Sequence, residues 1–184
     1  MKRFSKLILF IFFISIIITS CVKQKSFPTS PVITFKEVDK FESTFHRSNG
    51  IDSTFLDSMY VVIKFTDGDG DIGGNTSGKS DFLMKYLRMD NSGNFVPYNS
   101  NPNGIYATPF DTLFQTYNVP YITPEGQYKA LEGEIRAQFK GKDSNGNVNI
   151  LYLPTDKVIK YEITLRDRAG NISNKVTTNE IAVP

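Results

Sequence analysis

From Val32 to the end of the chain, apolar side chains recur at about every second position. A period of two puts successive side chains on opposite faces of an extended chain, so the pattern predicts strands with one buried face. No apolar stripe at helical spacing runs longer than two turns. Eight segments carry the alternation: Val32 to Val38, Met59 to Thr66, Asp81 to Asp90, Leu113 to Val119, Gln127 to Phe139, Asn147 to Leu153, Lys157 to Arg166 and Asn174 to Val183. The clearest are Tyr60-Val61-Val62-Ile63-Lys64-Phe65 and Tyr161-Glu162-Ile163-Thr164-Leu165, where β-branched and aromatic residues dominate, as a pleated, half-buried surface prefers. Short strands with turn signals between them predict an all-β sandwich of about seven or eight strands.

The turns share a pattern of Asp, two residues, Gly, Asn or Asp, then an apolar residue. It occurs as Asp67-Gly68-Asp69-Gly70-Asp71-Ile72, Asp90-Asn91-Ser92-Gly93-Asn94-Phe95, Asp143-Ser144-Asn145-Gly146-Asn147-Val148 and Asp167-Arg168-Ala169-Gly170-Asn171-Ile172. An Asp at the first position caps backbone N–H groups, and Gly at the fourth accepts a left-handed conformation. The copies at Asp90 and Asp143 are accordingly expected to be hairpin turns.

The first copy differs, because Asp67, Asp69 and Asp71 set three carboxylates within five residues, among Gly68, Gly70, Gly73 and Gly74. Such crowding is unfavourable without a cation, and calcium takes roughly six to eight oxygen ligands. The spacing is not that of an EF-hand, which needs Gly at the sixth loop position, where Ile72 stands, and Glu at the twelfth, where Gly78 stands. Two readings stay open: a solvated turn capped by its own Asp side chains, or a calcium site of another type. Asp167 and Asn171 join the candidate ligands if the strands ending near Phe65 and Leu165 bring their loops together.

Ahead of the strands, Lys2, Arg3 and Lys6 precede Leu7 to Ile18, a twelve-residue apolar run broken only by Ser15. A helix needs roughly 20 apolar residues to cross a bilayer core, so this run fits a secretory signal peptide over residues 1–20. Ile18-Thr19-Ser20-Cys21 resembles the lipobox of bacterial lipoproteins, which implies acylation of Cys21 as the new N-terminus. Cys21 is the one cysteine, so no disulfide forms within the chain, and lipidation removes a thiol that export would expose to oxidation. Each buried acyl CH₂ is worth ~0.8 kcal/mol, so several acyl chains hold a soluble domain at a membrane.

The expected organisation is signal peptide 1–20, lipidated cysteine and tether 21–31, and a sandwich domain over 32–184. Lys23, Gln24, Lys25 and Ser26, closed by Pro28 and Pro31, predict an extended tether without a core. Some Bacteroidetes-type lipoproteins carry an acidic run after the cysteine as a surface-export signal. Lys23 and Lys25 stand there instead, which points to an outer-membrane protein facing the periplasm.

Removing the signal alters the charge: three of 21 basic residues lie in it and all 19 acidic ones beyond it, leaving 18 against 19 and a net charge of −1. Nothing in that balance calls for nucleic acid.

Arg166-Asp167-Arg168-Ala169-Gly170-Asn171-Ile172-Ser173-Asn174 resembles the D-x-A-G-N-x-S segment near the last strand of bacterial immunoglobulin-like domains. Together with Phe65 to Gly73 it makes the chain similar to Bacteroidetes-type lipoproteins that pair a D-G-D-G-D-I-G loop with a late D-R-A-G-N segment. The resemblance covers most of Val32 to Val183. It implies an immunoglobulin-like antiparallel sandwich in the cell envelope and carries over no catalytic residue.

An enzyme reading has little to stand on, since His46 is the one histidine and sits in a polar stretch expected to be an exposed loop. A zinc site of the His/Cys type lacks a ligand set. The expected role is therefore a lipid-anchored structural or protein-interaction module, with calcium as a candidate ion. The alternative is glycan or peptide binding through Val96 to Gln127, whose Tyr98, Tyr106, Phe110, Phe114, Tyr117 and Tyr121 make an aromatic stretch, with Tyr106 and Tyr117 as candidate contacts. The same rings would otherwise close one end of the core.

Overall fold

The computed structural model describes residues 26–46, 50, 52–74, 80–98, 114–122, 129–141, 151, 153 and 155–184. The expected signal peptide, Cys21, the first half of the tether, Tyr106, Phe110, the turn at Asp143 and most of the strand expected over Asn147 to Leu153 lie outside the described residues.

Nine strands make up all the regular structure of the described residues: β1 Val32–Phe45, β2 Ser53–Asp67, β3 Phe82–Met89, β4 Phe95–Pro97, β5 Phe114–Tyr117, β6 Leu131–Lys140, β7 Val158–Leu165, β8 Val176–Thr177 and β9 Ile181–Ala182. One sheet has the order β1-β2-β6. The other runs β4-β3-β7-β8, with β5 also paired to β3 and β9 to β7. Every pairing is antiparallel. Placing the first, second and sixth strands on one sheet and the third, fourth, seventh and eighth on the other is the connectivity of an immunoglobulin-like sandwich.

Alternation decides which side chains meet between the sheets. Met59, Val61, Ile63 and Phe65 of β2 share the inner face with Ile135, Ala137 and Phe139 of β6. Opposite them stand Phe82, Met84 and Tyr86 of β3 and Ile159, Tyr161, Ile163 and Leu165 of β7. Phe82 and Phe139 meet across the sheets with ring centroids 6.2 Å apart. Each such side chain taken fully out of water contributes roughly 1.5–3 kcal/mol before entropy is counted.

The buried phenols are satisfied by neighbours. Tyr86 Oη donates to Asp156 Oδ2 at 2.6 Å, Arg88 pairs with Asp156 Oδ1 at 2.9 Å, and the Tyr161 hydroxyl donates to the Leu151 carbonyl. Burial pushes both phenols well above their ordinary range, with the Asp156 hydrogen bond adding to the effect at Tyr86.

Three features differ from the sequence expectation. β1 and β2 extend past Lys140, the last residue of β6 to pair, so that Phe45 and Phe55 stand exposed on a two-stranded arm. β4 completes a hairpin on β3 that no expected strand covered. The last expected strand is split in two. There, Thr178 Oγ1 accepts the Tyr161 N–H at 3.0 Å while the Thr178 N–H donates to the Tyr161 carbonyl at 3.0 Å, so a side chain replaces one backbone acceptor and breaks the ladder.

Candidate cation site

β2 ends at Asp67 in one sheet, and the chain then crosses to β3 in the other. β7 ends at Leu165, and the fourth copy of the turn pattern follows directly. An antiparallel bridge between Ile72 and Asp167 joins the two loops at one end of the sandwich, and another between Arg166 and Ile172 closes the second loop on itself. Ile72 is fully buried and plugs the core between them.

The three described copies of the pattern have the geometry expected of them. Gly70, Gly93 and Gly170, each at the fourth position, take positive φ of 69°, 83° and 95°. In each copy the first Asp accepts the N–H of the fifth residue: Asp71 N to Asp67 Oδ2 at 3.0 Å, Asn94 N to Asp90 Oδ1 at 2.8 Å, and Asn171 N to Asp167 Oδ1 at 2.7 Å. The copy at Asp90 is the β3–β4 hairpin turn, closed by the Asp90 N–H donating to the Asn94 carbonyl at 2.8 Å.

The first and fourth copies do more than turn. Asp67, Asp69, Asp71 and Asp167 each bring a carboxylate oxygen to within 4.8 Å of the others. Oxygens on opposite sides of a calcium ion, each at ~2.4 Å, stand about 4.8 Å apart, so the separation suits a shared ion. Asp67 and Asp167 are fully buried, Asp69 and Asp71 half-buried. The Oδ1 atoms of Asp67, Asp69 and Asp71 are buried and accept no hydrogen bond among the described residues. Desolvation pushes the Asp67 carboxyl up to about 6, with the Asp69 and Asp71 charges adding to the rise and the Asp71 and Gly70 amides opposing it. Asp71 is also raised, first by desolvation and then by the Asp167 and Asp69 charges, against the Ala169 amide and the Arg168 cation.

The surroundings hold the loop in shape. Arg168 Nη1 donates to the carbonyls of Ile72 at 3.1 Å and Gly73 at 2.9 Å, and its guanidinium lies 4.6 Å from the Tyr121 ring centroid. The Arg168 and Ala169 amides reach Asp71, at its carbonyl (3.1 Å) and at Oδ2 (2.9 Å). Gly74 N donates to the Val119 carbonyl at 2.9 Å. Gly73 has φ of +78° and leaves only 2.1 Å between a Cβ and the Pro120 carbonyl oxygen, so it must be glycine on both counts.

Asn171 stands behind the cluster, donating through Nδ2 to Asp167 Oδ2 at 2.8 Å, and so orients a carboxylate. The Arg168 side chain takes the carbonyls of Gly70, Ile72 and Gly73, and the donors that converge are the four carboxylates. Arg168 is the residue that reading the sequence overlooked; its place inside a matched motif was the only signal available.

The other sequence candidates lie elsewhere. Tyr117 is half-buried against the core, its ring 6.3 Å from that of Phe139, and Tyr98 packs edge-on to Tyr86 at 6.3 Å; both positions suit rings that close the core. Tyr121 is 63% exposed. His46 is exposed beyond the end of β1, as expected, and its Nδ1 lies 2.9 Å from Asp52. Comparison with protein-family models, with curated proteins and with solved structures returns no match. Geometry alone therefore identifies what this end of the sandwich offers: a buried acidic cluster with the means to hold a metal ion.

Proposed function

We propose that this protein is a lipid-anchored module of the bacterial cell envelope, with a structural or protein-interaction role, whose sandwich is stabilised by calcium bound to Asp67, Asp69, Asp71 and Asp167. The observation that carries the calcium reading is the convergence of four carboxylates, three with buried oxygens that accept no hydrogen bond among the described residues. Burying charge without a partner costs several kcal/mol per ion, and a divalent cation offsets that cost. Magnesium prefers one or two carboxylates and keeps its waters, whereas calcium accepts a crowded carboxylate set. Zinc is disfavoured because no His or Cys lies in the cluster.

The anchor reading rests on the lipobox-like Ile18-Thr19-Ser20-Cys21 behind its apolar run, and on the resemblance of the two loop motifs to Bacteroidetes-type lipoproteins. Metabolic labelling with a fatty-acid analogue tests it: wild type takes up label and partitions with membranes, and Cys21→Ser does neither. Undiminished labelling of Cys21→Ser contradicts the anchor.

A further inference from the structure

Gly68 sits between two of the proposed ligands, Asp67 and Asp69, and its N–H donates to the Pro28 carbonyl at 2.7 Å. A Cβ at position 68 would lie 2.3 Å from the Phe27 carbonyl oxygen and 2.7 Å from that of Pro28. The ligand loop and the segment just ahead of β1 are thus in backbone contact, with no room for a side chain between them. The expected tether is not free over its last residues: Pro31 is buried and Phe27 half-buried.

We propose that cation occupancy of the four-aspartate site controls whether residues 26–31 stay docked on the domain, which makes the Asp67 loop a cation-dependent clasp for the segment leading to β1. The inference rests on the cation reading above. With an ion bound, the carboxylates of Asp67 and Asp69 are drawn to one centre, and Gly68 between them is held against Pro28. Without it, their charges repel, and the loop relieves the repulsion by opening. Arg168 and Val119 hold the Gly70 to Gly74 side of the loop, so opening falls on the Asp67 to Asp69 limb that carries the Pro28 contact. Moving the point of attachment from Pro28 to Val32 frees four residues, roughly 14 Å of extended chain. If Cys21 is anchored, the ion thereby sets how far the domain stands from the membrane.

Tryptic cleavage between Lys25 and Ser26 in the detergent-solubilised protein tests the clasp, because cleavage there requires the following residues to leave the domain. A synthetic peptide of residues 22–31 corrects for the effect of calcium on the protease, and calorimetry reads calcium binding in parallel. Wild type should be cut at least tenfold more slowly in 5 mM calcium than in chelator. Gly68→Ala should bind calcium yet be cut rapidly in both, and Asp69→Asn should lose the calcium effect. Should Gly68→Ala fail to fold, wild type against Asp69→Asn decides. Calcium binding with an unchanged cleavage rate in wild type, or full protection in a folded Gly68→Ala, overturns the clasp and leaves the cation reading standing. No calcium binding at all overturns both.

Discussion

Removing calcium is the perturbation that most sharply separates a cation site from a capped turn. Two unit charges 4.8 Å apart at an effective dielectric of about 20 repel by roughly 3 kcal/mol, so four carboxylates within that distance load the folded state heavily when no cation is bound. Sites in extracellular calcium modules commonly bind at ~0.1–1 mM, and at about 5 mM calcium the linkage relation RT ln(1 + [L]/Kd) then gives a gain of about 1–2 kcal/mol. For a domain of this size, that raises the melting temperature by roughly 2–8 °C. Circular dichroism melts in calcium and in chelator read the gain directly. Asp69→Asn and Asp71→Asn should abolish it, and so should Asp167→Asn, from the other loop. Asp90→Asn, in the plain hairpin copy, should leave it intact. Asp69 also provides a test of sign. Its variant should melt higher than wild type in chelator, because a repelling charge is gone, while gaining nothing from calcium. Identical wild-type melts in calcium and in chelator would refute the reasoning and leave Asp67 to Ile72 as a self-capped turn.

Two further predictions follow from particular side chains. Tyr117→Ala should lower stability by about 2–4 kcal/mol in denaturant titration, since it opens a void beside Phe139; an unchanged midpoint would return Tyr117 to the candidate ligand contacts. In chelator, Asp67 keeps its proton up to about pH 6 in the folded chain, whereas its ordinary value is 3.8; the folded state therefore binds more protons between those values, and its stability should fall as pH rises from 4 to 6. Calcium binds the ionised form, so the difference between melting temperatures in calcium and in chelator should widen from pH 5 to pH 7.

The parts of the fold that were legible in the sequence are those fixed by local rules. The central strands show because Ile163 and Leu165 alternate with polar neighbours and Val61-Val62-Ile63 is a β-branched run, and the turns show because Gly70, Gly93 and Gly170 take a conformation that favours glycine. The β1–β2 arm did not show, since beyond the end of β6 its residues need no alternation, and Glu42-Ser43-Thr44-Phe45 and Ser53-Thr54-Phe55-Leu56 have none. The break at Thr178 depends on one hydroxyl accepting the N–H of Tyr161, a residue 17 positions away. A similar long reach lets the Asn174 side chain accept the Ile33 N–H at 2.8 Å and donate to its carbonyl at 2.9 Å, near the start of β1. For the site, Asp67, Asp69 and Asp71 were visible as a cluster, but the arrival of Asp167 depends on two strands of opposite sheets ending at the same pole. Sequence spacing offers no measure of that. The contact of Gly68 with Pro28 was hidden for the same reason.

Whether one cation joins the Asp67 and Asp167 loops is visible in anomalous diffraction from crystals grown in millimolar calcium. A single calcium peak is expected within about 2.3–2.6 Å of one oxygen from each of Asp67, Asp69, Asp71 and Asp167. Well-ordered carboxylates with no peak among them at that concentration would contradict a shared cation.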